Sequence, residues 1–295
     1  MLLGRENKAQ RKKLMNSFFV SDLHGQISRY ESLFSRIKEE KPAAVFLGGD
    51  LFPPFGVSVE GDFLDDFLAK GFTKLRDDLG VEYPRVFLIL GNDDSKNIQV
   101  DLNRWMEEDQ IWEYLHGRSV EFGSYTVYGY AYVPPTPFLN KDWERYDISR
   151  FVDPGCVPPE EGWHSIDEPK NLIEHATIKK DLELLSAGKE LSKSIFLFHS
   201  PPYQTALDRA ALDGKMIDHV PLDVHVGSIA VKDFILERQP LITLHGHVHE
   251  SARITGSWKE QLGKTTAISA AHDGQELALV KFNPDDPQGA VRDLI

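Results

Sequence analysis

The sequence predicts an α/β fold, because short apolar runs alternate with segments of helical periodicity. After a first strand at about residues 17–20, apolar residues recur at spacings of three and four from Ile27 to Ile37, and Pro42 ends that helix. Strands are then expected at residues 43–47 and 86–90, with a second amphipathic helix at 63–79 between them. This βαβαβ order is typical of a sheet covered by helices.

The second half of the chain continues the alternation and then changes. The pattern predicts a helix at about residues 171–186, a strand at 194–198, a helix at about 228–238 ended by Pro240, and a strand at 241–244. Residues 264–270 and 276–282 follow as strands with no helix between them. We therefore expect antiparallel pairing in the C-terminal third.

A proline-rich segment interrupts this pattern. The stretch from Pro134 to Pro169 contains seven of the 17 prolines and several aromatic residues. We expect an ordered excursion without regular secondary structure at about residues 130–170, which either packs as a surface loop or covers a site. Residues 1–15 are basic and lack periodicity, so they are predicted to form a loose arm before a single domain at 16–295.

Composition limits the possible partners. The 295 residues are 41% hydrophobic and 27% charged, which is typical of a globular protein with a large core. The net charge of −13 opposes a grip on nucleic-acid polymers or anionic membranes. Apolar runs such as residues 86–90 are far shorter than the roughly 20 residues that cross a bilayer. With no export signal and a single cysteine, Cys156, a cytoplasmic location is expected.

Side chains of the types that bind metal ions follow five of the predicted strands directly. Residues just past the carboxyl ends of strands in an open sheet share one crevice, so these side chains are expected to converge. Two pairs are spaced i and i+2, which lets both members face the same side of an extended chain. The candidate ligands are Asp22, His24, Asp50, Asn92, His199, His247 and His249.

This donor set predicts a centre of two divalent metal ions. Seven ligands provide four for each ion only if one carboxylate bridges, and Asp50 is the natural candidate. Imidazole and oxygen donors without thiolate suit Mn, Fe, Zn, Co or Ni better than Ca or a cysteine-rich zinc site. Each short motif taken alone is also explained by a helix cap, a turn residue or a buried histidine. All five in order favour the metal centre.

The same blocks resemble the calcineurin-like metallophosphoesterase family, whose motifs are Asp-x-His, Gly-Asp, Gly-Asn-His-Asp/Glu, a lone His and Gly-His-x-His. The resemblance covers residues 17 to about 280. It implies a four-layer α/β/β/α sandwich, with two mixed β-sheets flanked by helices and the metal site at the strand ends. It assigns Asp22, His24 and His249 to one metal, Asn92, His199 and His247 to the other, and Asp50 to both.

One block departs from the family pattern, since Asp93 stands where many members have histidine. In the family, that histidine protonates the leaving oxygen or stabilises the transition state. The resemblance therefore implies Asn92, Asp93 and His199 as the catalytic residues. Asp93 replaces the histidine if burial or a neighbouring charge keeps it protonated. Alternatively, Asp93 only orients a ligand histidine.

The resemblance implies hydrolysis of phosphodiesters or phosphomonoesters by attack of a metal-bridging hydroxide. The acidic balance favours small molecules such as nucleotides as substrates. Tyr203, His225 and Ser228 are predicted to contact substrate, although Ser228 also fits a simple helix cap. The alternatives are a Ser/Thr protein phosphatase, a nuclease or a non-catalytic metal-binding scaffold; the substrate, the native metals and the oligomeric state stay open.

Overall fold

The computed structural model describes residues 15–54 and 61–295, so the predicted N-terminal arm lies outside the described residues except for Met15. Within these ranges, two six-stranded mixed sheets pack together and helices flank them. The predicted α/β/β/α sandwich is confirmed. In chain order, the strands are β1 (Ser17–Val20), β2 (Ala44–Gly48), β3 (Arg85–Ile89), β4 (Glu113–Tyr114), β5 (Arg118–Phe122), β6 (Tyr125–Tyr130), β7 (Ser194–Phe198), β8 (Met216–Ile217), β9 (Val220–Pro221), β10 (Ile242–His245), β11 (Lys259–Leu262), β12 (Thr265–Ser269), β13 (Ala278–Asn283) and β14 (Asp286–Leu294).

The parallel strands of both sheets carry the candidate ligands at their carboxyl ends. The first sheet has the order β14-β13-β1-β2-β3-β4, with β1 to β4 parallel and β13 antiparallel to β1. The second has the order β11-β12-β10-β7-β6-β5, with β12, β10, β7 and β6 parallel. The strands β8 and β9 form a separate two-stranded ribbon.

Helices cover the outer faces of the sheets. The helices of the described residues are α1 (Ile27–Glu40), α2 (Lys70–Leu79), α3 (Gln99–Glu108), α4 (Lys170–His175), α5 (Ile178–Leu185), α6 (Ile229–Arg238) and α7 (Ser251–Thr255), and a π-helical stretch, Phe63–Ala69, leads into α2. On one face, Tyr30 of α1 packs against Phe63 and Phe67. On the other face, the ring of Phe234 in α6 lies 5.0 Å from that of Phe196 in β7.

The core between the sheets is aromatic. Phe46 and Phe87 of the first sheet are fully buried, and Phe87 lies 5.6 Å from Phe122 of the second sheet, measured between ring centroids. Edge-to-face contacts of this kind add to the burial energy of the rings. The packed centre fixes the two sheets against each other, and with them the loops that follow their strands.

Two local predictions differ from the structure. The helix expected at 171–186 is divided into α4 and α5, because Ala176 is extended and Thr177 begins α5 by accepting a hydrogen bond from the Lys180 N–H (3.2 Å). The strands expected at 264–270 and 276–282 are present as β12 and β13, but they lie in different sheets. Their antiparallel partners are β11 for the first, and β1 and β14 for the second.

The proline-rich excursion is packed and ordered by buried polar groups. Lys141 and Glu144 form an ion pair whose side chains are both 0% exposed, and Glu144 also accepts from the Thr136 N–H at 2.7 Å. Only a short 3-10 turn, Pro159–Glu161, gives regular structure between residues 134 and 169. A buried pair is costly to break, which holds this loop in place. No helix in the described part of the chain has the length and apolar character needed to cross a bilayer.

Candidate metal centre

Four of the seven predicted ligands have an unusual backbone conformation. Asp22, His24, Asp50 and His247 have φ values of 56°, 47°, 51° and 73°. Non-glycine residues adopt this left-handed region at a cost of order 1 kcal/mol or more, and such residues cluster at functional sites. Main-chain hydrogen bonds hold the first two turns together: Asp22 N–H donates to the Gly49 carbonyl (3.0 Å) and His24 N–H donates to the Asp50 carbonyl (2.8 Å).

The first group of ligands consists of Asp22, His24, Asp50 and His249. One ligand atom from each of these residues lies within 4.8 Å of the others. Nε2 of His24 is 3.1 Å from Nε2 of His249, and the latter is 3.3 Å from Asp22 Oδ1. Nε2 of His24 is 4.0 Å from Asp50 Oδ2. Two imidazole nitrogens and two carboxylates thus face one small volume, which is a donor set that a divalent cation fits.

The second group is built around His199, which is fully buried. Its Nδ1 lies 2.8 Å from the Gly48 carbonyl, so Nδ1 carries the hydrogen. Its Nε2 lies 3.1 Å from Asn92 Oδ1 and 3.2 Å from Asp50 Oδ2. A nitrogen that faces two oxygen acceptors needs a proton or a cation between them, and a backbone carbonyl on the other ring nitrogen is the usual arrangement of a metal-binding histidine.

His247 completes the second group from the loop after β10. Its ring lies 5.3 Å from that of His199, measured between centroids. Its main-chain N–H donates to Asp22 Oδ1 at 2.9 Å. The loop after β10 is therefore tied to the loop after β1, so that both groups of ligands share one rigid frame. The seven predicted ligands are all brought to this edge of the two sheets.

The charges in this site are strongly coupled. Burial alone would lower the pKa of His199, but Asp50 and Asp22 outweigh it and raise that pKa to about 10. Burial also lowers the pKa of His249, but Asp22 outweighs this effect and raises that pKa to about 9. For Asp50, burial is outweighed by His199, and its pKa falls to about 2. Protonated imidazoles thus balance the carboxylates when no metal is bound, and a divalent ion would displace those protons.

Two glycines allow the main chain to approach the ligands closely. A Cβ at Gly91 would lie 2.3 Å from Asp50 Oδ1 and 2.6 Å from His199 Nε2. A Cβ at Gly246 would lie 2.8 Å from Asp22 Oδ2. Since real Cβ atoms do not come this close, any side chain at these positions would displace the ligands.

Two residues that support the ligands were not predicted. Asp94 is fully buried and accepts from the N–H groups of Leu51 (3.0 Å), Phe52 (2.9 Å) and Gly91 (2.9 Å), which ties the loops after β2 and β3 together. Arg29 of α1 donates to the Asp22 carbonyl at 2.6 Å. Two features of the sequence could have indicated these supporting residues: the second carboxylate after Asn92, and the arginine on the apolar face of α1.

The three predicted substrate residues lie in two places. Ser228 is fully buried: its Oγ accepts from the Val231 N–H (3.0 Å) and donates to Asp147 Oδ1 (2.5 Å). Asp147 also accepts from the N–H groups of Ile229 (2.7 Å) and Ala230 (3.2 Å), so this carboxylate already occupies the start of α6. The geometry is that of the helix cap.

His225 and Tyr203 lie together on the segment that follows His199. His225 Nδ1 is 2.8 Å from Oδ1 of Asp208, which is fully buried, and the ring of Tyr203 lies 6.2 Å away. The Tyr203 hydroxyl donates to Asp223 Oδ2 at 2.5 Å. The same segment contacts the end of the His249 loop, where Ala211 N–H donates to Glu250 at 2.8 Å. His225 is thus oriented by a buried carboxylate, on a segment that is tied at Ala211 to the residue that follows His249.

Comparisons with known proteins assign the class. A family model described as calcineurin-like phosphoesterase matches residues 15–251, and the chain belongs to this family. Membership supports a metal-dependent phosphoesterase activity in general, and the family generally binds two divalent metals. A comparison with curated proteins gave no match.

Solved structures share the fold. One crystal structure is 14% identical with a TM-score of 0.61, over 95% of this chain and 98% of that chain. The crystal structure of the protein TT1561 of Thermus thermophilus is 16% identical with a TM-score of 0.55, over 95% and 98%. A third structure, described as a novel archaeal phosphodiesterase, is 10% identical with a TM-score of 0.48, over 95% and 100%. At these identities, the first two show the fold alone.

Proposed function

We propose that this protein hydrolyses phosphoesters of small molecules, phosphodiesters or phosphomonoesters, with two divalent metal ions as cofactors. The observation that carries the proposal is the position of Asp50. Its Oδ2 faces His24 Nε2 at 4.0 Å on one side and His199 Nε2 at 3.2 Å on the other. A single carboxylate between two groups of nitrogen and oxygen donors is what a two-metal site requires.

The ligands divide into two sets around this carboxylate. Asp22, His24 and His249 would hold one ion, whereas Asn92, His199 and His247 would hold the other. Bound there, two cations would polarise the phosphoryl oxygens and lower the pKa of a water molecule. The protein contributes the fixed spacing of the ligands, since main-chain hydrogen bonds and left-handed turns hold the loops.

His225 is the side chain that we propose for contact with the substrate. Asp208 holds its Nδ1, which leaves Nε2 at the opposite end of the ring for a phosphoryl or ribosyl oxygen. Tyr203 lies beside it and offers an aromatic face to a base or aryl group. Ser228 is left out of this contact, because its hydroxyl is used within the helix cap.

Esters with good leaving groups are the preferred substrates in this proposal. Position 93 carries a carboxylate instead of an imidazole, so the leaving oxygen is not offered the usual proton donor. Aryl esters need no such donor. The net charge of −13 supports small substrates over nucleic-acid polymers, and the single cysteine supports a cytoplasmic location.

The test is a metal analysis followed by an activity panel. The purified protein is loaded with Mn²⁺ and assayed with p-nitrophenyl phosphate, bis-p-nitrophenyl phosphate and cyclic nucleotides. Two bound ions per chain and turnover of at least one ester are expected. Two bound ions without turnover of any ester would overturn the proposal in favour of a binding scaffold. Turnover that persists in the metal-free protein would contradict the use of metal.

A further inference from the structure

Asp93 contacts three of the predicted metal ligands, which are His24, Asn92 and Asp50. We infer that Asp93 is a positioning residue that fixes the orientation of His24 and Asn92, and that it does not deliver the proton to the leaving group. This inference rests on the proposed metal centre. It is carried by three contacts of residue 93, one from each carboxylate oxygen and one from its main-chain nitrogen.

The first contact concerns His24. Asp93 Oδ2 lies 3.6 Å from His24 Nδ1, a buried atom that has no hydrogen-bond partner. The other nitrogen, Nε2, faces His249 Nε2 at 3.1 Å. For Nε2 to offer a lone pair to a cation, the neutral ring must carry its hydrogen on Nδ1. A carboxylate facing Nδ1 favours that tautomer, although 3.6 Å is an electrostatic contact and not a full hydrogen bond.

The second contact concerns Asn92. Its Nδ2 donates to Asp93 Oδ1 at 3.1 Å, while its Oδ1 lies 3.1 Å from His199 Nε2. An amide can turn over and exchange its oxygen for its NH₂ group. Asp93 Oδ1 lies on one side of the Asn92 amide and accepts from its NH₂ group. This contact keeps the NH₂ group away from the metal site and the amide oxygen toward it.

The third contact concerns Asp50. The main-chain N–H of Asp93 donates to Asp50 Oδ1 at 2.8 Å. Oδ1 is thereby engaged, and Oδ2 is the oxygen that faces both His24 and His199. Because both oxygens of the Asp93 side chain face ligands, this carboxylate is arranged to orient them.

The experiment measures metal affinity without turnover. In Asp93→Asn, Oδ1 can still accept from Asn92, but an NH₂ group faces His24 Nδ1 and favours the wrong tautomer. Calorimetric titration of the metal-free protein with Mn²⁺ should show binding that is weaker by about 10- to 100-fold. The visible spectrum of the Co²⁺-substituted protein should change, while the melting temperature of the metal-free protein stays the same. Asp93→Ala, which removes both side-chain contacts, should lose at least as much affinity.

The matched control is Asp101→Asn on α3. This change also removes one carboxylate, from a side chain that is 54% exposed and pairs with Arg104 of the same helix. It should leave Mn²⁺ affinity, the Co²⁺ spectrum and turnover unchanged. An equal loss of affinity in this variant would overturn the inference, because the effect would then be one of net charge.

Leaving groups separate the positioning role from proton donation. At saturating Mn²⁺, Asp93→Asn should keep the wild-type ratio of rates for aryl and alkyl phosphoesters. Unchanged Mn²⁺ affinity, together with a loss of rate confined to alkyl esters, would overturn the inference and identify Asp93 as the proton donor. A wild-type protein that hydrolyses no ester would defeat the proposed function, whereas the affinity measurement would still decide the role of Asp93.

Discussion

Nε2 of His199 lies 3.2 Å from Oδ2 of Asp50, inside a fully closed part of the site. The other nitrogen of the same ring is fixed by the Gly48 carbonyl, so the imidazole cannot turn away. Asp50 belongs to the loop after β2 and His199 to the loop after β7, so this contact joins the two sheets at the site. The shared carboxylate is thus held from both sheets.

The substitution Asp50→Asn should remove metal-dependent hydrolysis. An amide is neutral and has one oxygen, whereas the carboxylate has two oxygens and a negative charge, so the amide would be a poor bridge between two cations. We therefore expect a loss of at least about 100-fold in kcat/KM. Metal content by mass spectrometry should fall from two ions per chain, with an unchanged circular-dichroism spectrum. Full activity in a variant shown to be metal-free would refute the mechanism.

The substitution Ser228→Ala decides between a cap and a substrate contact. The loss of the hydrogen bonds to Val231 and Asp147 should lower the free energy of unfolding by about 1–2 kcal/mol. KM should not change, since Ser228 is buried within the start of α6. Urea denaturation and steady-state kinetics measure the two effects. Unchanged stability with a raised KM would restore Ser228 as a substrate residue.

The substitution His225→Ala should raise KM while Mn²⁺ affinity stays the same. The loss of one hydrogen bond to a charged phosphoryl oxygen corresponds to about a tenfold effect or somewhat more. Tyr203→Phe, which keeps the neighbouring ring, is the control for general disturbance of this segment. If His225→Ala leaves KM unchanged for every ester that the wild type hydrolyses, then His225 has no place in substrate binding.

His116 should make the protein less stable in mild acid. Burial, followed by the nearby charges of Lys96 and Arg145, lowers the pKa of His116 well below its usual value of about 6.5. The unfolded chain then takes up the proton first, so this stabilisation is complete above about pH 6.5 and is lost as the pH falls below it. The slope from this one group approaches about 1.4 kcal/mol per pH unit.

The variant for comparison is His116→Asn. In the wild type, the Ala131 N–H donates to His116 Nδ1 at 3.1 Å, and the asparagine oxygen can still accept this hydrogen bond. Urea unfolding between pH 7.5 and 5 should show a shallower decline in this variant than in the wild type. His175→Asn is the control, because His175 is 60% exposed. Equal slopes in all three proteins would show that His116 does not stay neutral in the folded state.

That the seven candidate ligands lie at one edge of the sheets was predictable, because each follows a strand whose apolar run is visible in the sequence. The supporting contacts were not, since they join residues that are distant in the chain. Asp147 lies 81 residues before Ser228, and the two side chains together cap the start of α6. No local sequence pattern links these two residues. The role of Arg29 likewise depends on where α1 lies relative to Asp22.

Other features were open to local analysis and were missed. The hairpin of β5 and β6 turns at Gly123 and Ser124, and Gly123 has a φ of 61°. A glycine of this kind between strand-like segments is a recognised hairpin signal. By contrast, the interruption at Ala176 between α4 and α5 depends on the main chain of Tyr146, whose carbonyl accepts from the Ile178 N–H at 2.8 Å. Periodicity alone could not show that interruption.

Two side chains of the excursion are hydrogen-bonded to the segment that begins at the candidate ligand Asn92. Asn140 Nδ2 donates to the main-chain carbonyl of Asn92 at 3.1 Å, and Asp142 accepts from the Lys96 N–H at 2.7 Å. Lifting this segment would therefore pull on the loop that carries Asn92. By linkage, ions that tighten the ligand loop also tighten the excursion. Added Mn²⁺ should accordingly slow proteolytic nicking between residues 134 and 169.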